Sequence, residues 1–339
     1  MACKITITED HDGRRLDRTI RSIWPALPLS LIMRALRKGE VRLDAVKARE
    51  AGIKIRSGQE LYVPWEPPGA EAAVSESAAK RWGEVPMLWR GDNVVIINKP
   101  ADLLVQPDVK GGDSVITRIW GMFGRGRLGF SPAAVHRLDR NTTGVLVAAL
   151  SGEALRELER LFKERLVVKR YLAVVVGELP GKGIVNAPLL KDEANNIVKV
   201  VGGSEKDGKT ALTRYKRLSF NGTLSLASIE LLTGRTHQAR VHMAHLGCPI
   251  LGDRKYGNFE ANRRRREAKR PLLHAFELQF PAGLSGALSE VSGKTFRSEL
   301  PKDMETLLRK EGLKKEFSGE KREKNEKNLG GEGFENITL

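Results

Sequence analysis

The segment from His136 to Leu150 combines charged side chains with an apolar strand pattern. It reads His-Arg-Leu-Asp-Arg-Asn-Thr-Thr-Gly and then Val-Leu-Val-Ala-Ala-Leu, so Asp139 lies in a polar loop that opens onto a buried strand. Arg137 and Arg140 flank this aspartate, and a nearby guanidinium favours the ionised form of a carboxylate. The pattern suits a carboxylate nucleophile, although an aspartate ion-paired within a turn would give the same local sequence.

The elements predicted after this loop would hold further side chains beside it. Ser151 is a predicted N-cap, and it precedes apolar residues at helical spacing, namely Leu155, Leu158, Leu161 and Phe162. A strand is predicted next, from Lys169 to Val176. Side chains alternate between the two faces of a strand, so Tyr171 should share a face with Ala173 and Val175.

A third candidate segment follows Gly234, where a strand ends. Thr236 to His245 is predicted to be a helix that carries three histidines and Arg240. Three histidines suggest a metal site, but the helix has no cysteine or carboxylate to complete a ligand set. Arg235 and Arg240 are better explained as anion-facing groups. We therefore expect no metal ion here.

A glycine-rich segment, Gly124 to Gly129, has the glycine spacing of a dinucleotide-binding loop. That motif functions only when a strand precedes it and a helix follows it. Residues 117–123 instead have the pattern of a helix end. The segment is therefore predicted to be a flexible basic loop.

Composition limits the classes of protein to which the chain can belong. Its 339 residues include 58 Lys and Arg against 42 Asp and Glu, a formal charge of +16, which favours a polyanionic partner, either nucleic acid or an anionic membrane surface. No apolar run approaches the ~20 residues of a membrane span, and no secretory signal pattern is present. Two cysteines cannot form a disulfide framework or a four-ligand zinc site. We expect a cytoplasmic protein.

Residues 1–63 are predicted to form a small basic unit. One helical pattern places Leu16 and Ile20 opposite several arginines, and a second runs from Ser30, a predicted N-cap, to Gly39, a predicted stop. Short strands are predicted near residues 40–43 and 60–63. The unit holds 13 basic and 8 acidic side chains, a net charge of +5.

The order of these segments resembles the S4 RNA-binding fold. In that family two helices present a basic face to structured RNA, which proteins recognise largely through shape and phosphate contacts. The resemblance implies RNA contacts from basic side chains of both helices: Arg15, Arg34, Arg37 and Lys38. Residues 64–85 have the proline, alanine and serine content of a linker. A larger unit is predicted at 86–310, and residues 311–339 are predicted to be a disordered tail.

The motifs of the larger unit are similar to those of the pseudouridine synthases that include the ribosomal large-subunit enzymes. The similarity rests on four segments in family order: His-Arg-Leu-Asp-x-x-Thr-Thr-Gly, Lys-Arg-Tyr-Leu-Ala-Val-Val, Gly-Arg-Thr-His-Gln-Ala-Arg-Val-His and Pro-Ile-Leu-Gly-Asp-x-x-Tyr-Gly. They span about residues 90–310. The implied fold class is α+β, with an S4-like domain followed by a mixed, mainly antiparallel sheet and flanking helices.

The resemblance assigns roles to three residues. Asp139 is the implied catalytic carboxylate, which would attack or stabilise C1′ of a uridine whose base detaches and rejoins through C5; a covalent adduct and a glycal route both remain open. Tyr171 would stack on the base and lie in position for proton transfer, and Arg240 would pair with Asp139. The reaction is redox-neutral and releases no group, so we expect no cofactor.

The family also implies an RNA substrate, most consistent with 23S rRNA or a large-subunit precursor, bound by a monomer. Arg137 would fill the space that the flipped base leaves. Further RNA contacts are predicted at Arg140, Arg235 and His237 and at the cluster Arg263, Arg264 and Arg265, although such a cluster can also be a solvated loop. Two alternatives stay open: a tRNA pseudouridine synthase, and a non-catalytic RNA-binding protein of ribosome assembly.

Overall fold

The computed structural model of the chain describes residues 3–24, 27–66, 82–107, 112–124, 130–202, 205 and 207–313. Residues 3–66, called here the N-terminal unit, contain two helices and four strands. The helices are α1 (Leu16–Ile23) and α2 (Leu29–Lys38); the strands are β1 (Cys3–Thr6), β2 (Arg42–Leu43), β3 (Val46–Lys47) and β4 (Glu60–Val63). The strands form one antiparallel sheet in the order β1-β4-β2-β3.

The N-terminal unit has an apolar core of its own. Leu16 and Ile20 of α1 and Leu36 of α2 are buried in one cluster with Leu61 of β4. Arginines on the opposite sides of both helices are exposed. The apolar residues that the sequence places at helical spacing are therefore the ones that are buried.

The bounds of α2 differ slightly from the sequence-based expectation. Its N-cap is Pro28 rather than Ser30, which is exposed inside the first turn. Proline is compatible with this position because its fixed φ suits a helix start and a helix start needs no N–H donor there. Gly39 ends the helix as expected, at a φ of 69° that side chains other than glycine adopt rarely.

Residues 82–313 of the described chain, called here the catalytic unit, are built on a ten-stranded sheet. Its strands are β5 (Met87–Arg90), β6 (Val94–Lys99), β7 (Ala133–Ala134), β8 (Thr143–Ala149), β9 (Val168–Val176), β10 (Lys182–Asn186), β13 (Leu212–Phe220), β14 (Leu224–Leu231), β15 (Leu273–Gln279) and β16 (Thr295–Arg297). A separate hairpin consists of β11 (Leu189–Asp192) and β12 (Ile197–Val200).

The main path of the sheet has the strand order β10-β13-β14-β9-β15-β8-β6-β5, with β7 beside β8 and β16 beside β15. β8 and β15 are parallel, and the other paired strands described are antiparallel. This topology confirms the mixed, mainly antiparallel sheet.

Both faces of the sheet are covered, and β9 shows how the sequence divides between them. Tyr171, Ala173 and Val175 point into one core cluster, whereas Leu172 and Val174 point into another on the opposite face. Alternate residues of a strand face opposite ways. The predicted placement of Tyr171 among small and apolar neighbours is therefore found in the structure.

Five helices of the described chain flank this sheet: α3 (Val115–Phe123), α4 (Gly152–Lys163), α5 (Gln238–His245), α6 (Phe259–Arg264) and α7 (Lys302–Lys310). As expected, Ser151 caps α4, because its Oγ accepts a hydrogen bond from the Ala154 amide at 3.3 Å. The helix α3 ends where the sequence indicated, and residues 125–129 of the glycine-rich segment lie outside the described residues. None of the described helices is long and apolar enough to span a membrane.

The catalytic unit extends beyond the boundary predicted at residue 310. Leu313 is buried in the cluster around α7, and the Glu311 carboxylate accepts hydrogen bonds from Arg265. Residues 314–339 lie outside the described part of the chain. The sequence therefore placed the start of the tail a few residues too early.

Candidate active site

Asp139 lies in the loop that enters β8, in the middle of the sheet. Gly144, the second residue of β8, has a φ of 109°, and a Cβ at this position would lie 2.1 Å from the Ala275 carbonyl oxygen of β15. Only glycine permits this approach of the two parallel strands. Gly144 therefore fixes the position at which the loop that carries Asp139 joins the sheet.

Two buried basic side chains, Lys99 and Arg270, donate hydrogen bonds to backbone carbonyls of the same loop. Lys99 is fully buried, and its Nζ donates hydrogen bonds of 2.7–2.8 Å to the carbonyls of Pro100, Leu103 and Arg140. Burial lowers the pKa of Lys99 to about 7, while the charge of Asp139 opposes that shift. Arg270 donates to the Asn141 carbonyl at 3.1 Å. The sequence suggested no role for Lys99, although a lysine at the end of an apolar strand is a usable signal, and it suggested only RNA contact for the basic cluster that includes Arg270.

The ion pair of Asp139 is formed with Arg240 of α5. The Arg240 Nη1 donates to the Asp139 Oδ2 at 3.1 Å, and the Arg240 side chain is 11% exposed against 28% for Asp139. Arg140, the next residue in the sequence, pairs with Asp102 at 2.7 Å instead. The charge partner of Asp139 is thus 101 residues away in the chain.

Asp253 holds Arg240 in turn. Its two carboxylate oxygens accept from the Arg240 Nε at 2.6 Å and Nη2 at 2.9 Å, and its side chain has no exposed surface. Burial disfavours the charged form of Asp253, but the hydrogen bonds and charge of Arg240 and the backbone amides of Lys255 and Tyr256 outweigh it and lower its pKa. Burial would lower the pKa of Arg240, and its two carboxylate partners raise it instead. Both groups are therefore held ionised.

Tyr256 and His237 complete this side of the site. The Arg240 guanidinium lies 5.0 Å from the centre of the Tyr256 ring, and the Tyr256 hydroxyl is 2.8 Å from the His237 Nδ1. The His237 Nε2 lies 4.0 Å from the Asp139 Oδ2. Burial lowers the pKa of His237, and Asp139 opposes the shift. His237 therefore lies beside Asp139, whereas from the sequence it was predicted only as an RNA contact.

The turn before α5 has a defined conformation. His237 adopts a left-handed φ of 55°, so the helix begins at Gln238 rather than at Thr236. The buried Gln238 amide accepts from the Arg235 backbone N–H and the Thr233 hydroxyl, and it donates to the Leu212 carbonyl. These bonds hold the Arg235 and His237 side chains at the edge of the cleft. Gln238, Asp253 and Tyr256 lie inside motifs of the sequence, but only the folded arrangement reveals what they hold.

Tyr171 and Asp139 line the same cleft, which has a volume of about 570 Å³. Tyr171 is 6% exposed; burial raises the pKa of its hydroxyl, and the Asp139 charge raises it further. The phenol is therefore neutral at physiological pH. A second cavity of about 280 Å³ adjoins the first, because Asp139 lines both. Together they form a cleft with the Asp139 carboxylate at its centre and an aromatic ring in its wall.

Comparisons with known proteins agree with this geometry. The family model for RNA pseudouridylate synthases matches residues 93–245. The chain is 35% identical over 286 residues to the ribosomal large subunit pseudouridine synthase C of Vibrio cholerae, covering 81% of this chain and 88% of that protein. It is 33% identical over 326 residues to the enzyme of the same name from Escherichia coli, covering 92% and 94% of the two chains. This chain belongs to the RNA pseudouridylate synthase family.

A solved structure supports the same assignment. Human RNA pseudouridylate synthase domain containing 4 is similar with a TM-score of 0.54 and 27% identity, and the match covers 70% of this chain and 96% of that one. The family expected from the motifs is thus confirmed, and with it the chain's classification as a pseudouridine synthase. The mixed sheet described above is the pseudouridine synthase domain.

The predicted RNA contacts of this synthase fall into three groups. Arg137 and Arg235 line the cleft beside Asp139. A second group is exposed on the surface, at Arg15, Arg34, Arg37 and Lys38 of the N-terminal unit and at Arg140, Arg263 and Arg264 of the catalytic unit. Arg265 differs, because its guanidinium bonds Glu311 at 2.8 and 3.1 Å and its side chain is only 17% exposed. Arg265 is thus held by an ion pair within the protein, and its role as an RNA contact stays a prediction.

His136 and His242 are held by contacts within the protein. The His136 Nε2 accepts from the Val147 amide at 3.1 Å, and its ring stacks on Phe162. Both ring nitrogens of His242 bond the protein, at the Thr213 hydroxyl and the Ala187 carbonyl. Within the described residues, no group of three or more His, Cys, Asp or Glu side chains is placed to hold a metal ion.

Proposed function

We propose that this enzyme isomerises uridine to pseudouridine in 23S rRNA. The observation that carries the proposal is the chain of charges Asp253–Arg240–Asp139, which ends in a cleft beside Tyr171. A carboxylate paired with a buried arginine is suited to an electron-poor anomeric carbon, as in glycosidases. The cleft is open to the surface, so an extended polymer can reach it.

The reaction conserves atoms. The bond between uracil N1 and ribose C1′ breaks, the base turns, and C5 joins C1′; the proton of C5 leaves while N1 gains one. The Asp139 carboxylate attacks or stabilises C1′ while the base is detached. Arg240 pairs with that carboxylate, and the neutral Tyr171 hydroxyl lies in the wall of the cleft where a proton must move.

The target base must leave its stack to reach Asp139, at a cost of a few kcal/mol (roughly 2–4) in a paired region. Arg137 is exposed at the rim of the cleft and lines it together with Asp139. Its guanidinium can occupy the space vacated by the base and can stack on the neighbouring bases. We infer that Arg137 acts at this step.

The large-subunit substrate is supported by the relatives. Both enzymes named above are described as ribosomal large subunit synthases, and the match covers most of their lengths. The net charge of +16 supports a large polyanionic partner. These observations favour rRNA over tRNA.

We infer further that the N-terminal unit is an S4-like RNA-binding domain. It has two helices on an antiparallel four-stranded sheet, and Arg34, Arg37 and Lys38 project from α2 into solvent. Arg15 is exposed at the start of α1, where it pairs with Asp17 at 3.0 Å. The exposed Arg263 and Arg264 would add contacts beside the second cavity.

Pseudouridine mapping of total RNA from cells with and without the gene tests the proposal. We expect signals to disappear at large-subunit rRNA positions and to return when the gene is restored. If pseudouridine signals disappeared only from tRNA, the enzyme would be a tRNA pseudouridine synthase instead. Unchanged maps combined with a large-subunit assembly defect would support the non-catalytic assembly protein instead.

A further inference from the structure

The N-terminal unit contacts the catalytic unit at the first turn of α4. The Asp10 Oδ1 accepts a hydrogen bond from the Gly152 amide at 2.9 Å. Arg156, one turn further along α4, donates to the carbonyls of Glu9 and Asp12 at 3.4 and 3.2 Å. Asp10 is thus a capping residue supplied by the other unit, and its negative charge also complements the positive end of the helix.

The contact requires a glycine at residue 152. A Cβ at this position would lie 2.3 Å from the Asp10 carbonyl oxygen and 2.6 Å from its Cα, so backbone atoms would clash. The φ of Gly152 is not left-handed, and glycine is otherwise a poor helix former. The three atoms nearest to the added Cβ all belong to Asp10, so the approach of Asp10 explains the glycine.

One face of α4 links this contact to the cleft. Residues 152, 156, 159 and 163 lie on the same side of the helix because they are spaced by three or four positions. The first two contact the N-terminal unit, whereas Glu159 and Lys163 line the cleft with Asp139. The rise of a helix puts about 16 Å between the two ends of this face. The helix is therefore a rigid spacer between the N-terminal unit and the cleft.

Exposed cations lie near both ends of the spacer, Arg18 at the junction and Lys163 and Arg165 at the cleft, although α4 itself carries three basic and three acidic side chains. Arg14 of the N-terminal unit is half-buried at the junction; burial lowers its pKa, the charges of Arg18 and Arg156 lower it further, and Glu159 opposes them. At the other end, Arg165 and Lys163 are exposed on the rim of the cleft. Exposed lysines and arginines bind nucleic acid by neutralising its backbone phosphates, so the cations at the two ends of the spacer are candidate phosphate contacts.

We propose that the N-terminal unit is locked on α4, and that the locked units form one continuous surface for the backbone of an RNA helix adjoining the target uridine. This inference rests on the proposed function for the uridine in the cleft. A fixed distance between the N-terminal unit and the cleft favours binding of a partner whose phosphates also lie at fixed distances. An RNA helix is such a partner. Single strands are bound chiefly by stacking on exposed aromatic rings, and the α4 face has none at the four positions above.

The variant Gly152→Ala tests the lock, and Gly181→Ala is its matched control. Alanine is tolerated in a helical turn, so the first substitution disturbs only the approach of Asp10; nothing lies within 4 Å of the Cβ that would be added at Gly181, whose φ is not left-handed. Small-angle scattering of the full chain should show a larger radius of gyration for Gly152→Ala and no change for the control. Asp10→Ala should move the radius in the same direction. Unchanged scattering in both test variants would overturn the lock.

The RNA surface is tested with a uridine-free RNA hairpin, which cannot be a substrate. We expect Gly152→Ala to bind this hairpin at least about tenfold more weakly than the control, because separated units no longer act as one ligand. Binding of an unpaired oligocytidine should be unchanged. Equal hairpin affinities, or an equal loss for oligocytidine, would overturn the proposal.

A turnover assay distinguishes a failure of this inference from a failure of the proposed function. Isomerisation releases the C5 proton, so tritium release from [5-³H]uridine-labelled 23S rRNA reports turnover. Gly152→Ala should raise KM and leave kcat within about twofold of the control, since Asp139 and its partners are untouched. If the unsubstituted enzyme released no tritium, the proposed function would fail, while scattering and hairpin binding would still decide the lock.

Discussion

Asp253 occupies two donors of the Arg240 guanidinium, Nε and Nη2, and thereby directs the remaining Nη1 at Asp139. The arginine is clamped between two carboxylates, one fully buried and the other at the cleft. Because the clamp is bidentate, the guanidinium plane has a single orientation. Asp253 is therefore a positioning residue that acts on Asp139 through Arg240.

The substitution Asp253→Asn should lower kcat with little change in KM. The asparagine amide cannot accept both Arg240 donors, so the guanidinium loses its fixed direction and its charge balance. A small misplacement of a catalytic group can cost on the order of 100-fold in rate, and we expect a fall of about 10- to 100-fold in single-turnover tritium release. Glu311→Gln is the matched control, since it breaks the bidentate pair with Arg265 away from the cleft. An equal loss in both variants would show a general effect on folding.

Tyr171→Phe should separate stacking from proton transfer. The ring stays and the hydroxyl is lost, so RNA affinity should persist while kcat falls by roughly 10²- to 10⁴-fold, the usual contribution of general acid–base catalysis. Tyr215→Phe is the control, because the buried Tyr215 hydroxyl has no hydrogen-bond partner among the described residues. That control should keep full activity and lose no thermal stability. A Tyr171→Phe enzyme with normal kcat would limit the residue to stacking.

The pH dependence of stability should reflect His136. Burial, with a smaller effect from Lys169, lowers its folded-state pKa from 6.5 to about 3, so the unfolded chain binds a proton between these values and the folded chain does not. Stability therefore rises with pH across that window and is lost as the pH falls from about 6.5 towards 3. Between pH 7 and pH 5 the loss should be up to about 2 kcal/mol. Urea unfolding of His136→Gln should show a smaller change of the free energy of unfolding with pH. An unchanged pH dependence would show that groups other than His136 cause it.

Salt dependence of RNA binding should report the exposed cations of α2. Replacing Arg34, Arg37 and Lys38 with glutamine should weaken rRNA binding, and it should flatten the plot of log affinity against log salt by about one unit for each phosphate that these side chains neutralise. Lys302→Gln with Arg309→Gln is the control, since both lie on α7, which packs in a core cluster separate from that of Tyr171. Equal slopes for the two sets would contradict a role of α2 in RNA binding.

The sequence predicted local structure where one short pattern determines it. The alternation in β9 placed Tyr171, the cap at Ser151 started α4, and four motifs identified the family. It could not show which residues meet across the fold. Arg137 and Arg140 are the nearest cations to Asp139 along the chain, yet the partner is Arg240, because β8 and the loop before α5 converge at the cleft.

Residues that act through other residues were also missed. The sequence identified Asp253 and Tyr256 only as members of a motif. Their contacts to Arg240 and His237 form only in the folded chain. Arg265 forms an ion pair that the sequence did not indicate. It looked like its neighbours Arg263 and Arg264, but its side chain turns inward to Glu311, a residue assigned to the tail.

The most direct test of the central claim is tritium release from 23S rRNA by Asp139→Asn, measured beside RNA affinity. The substitution keeps the size of the side chain and removes the charge that C1′ requires. We expect no turnover above background, with rRNA affinity within about threefold of the unsubstituted enzyme, because the phosphate-binding cations are unchanged. Turnover near the unsubstituted rate would contradict the assignment of Asp139 as the catalytic carboxylate.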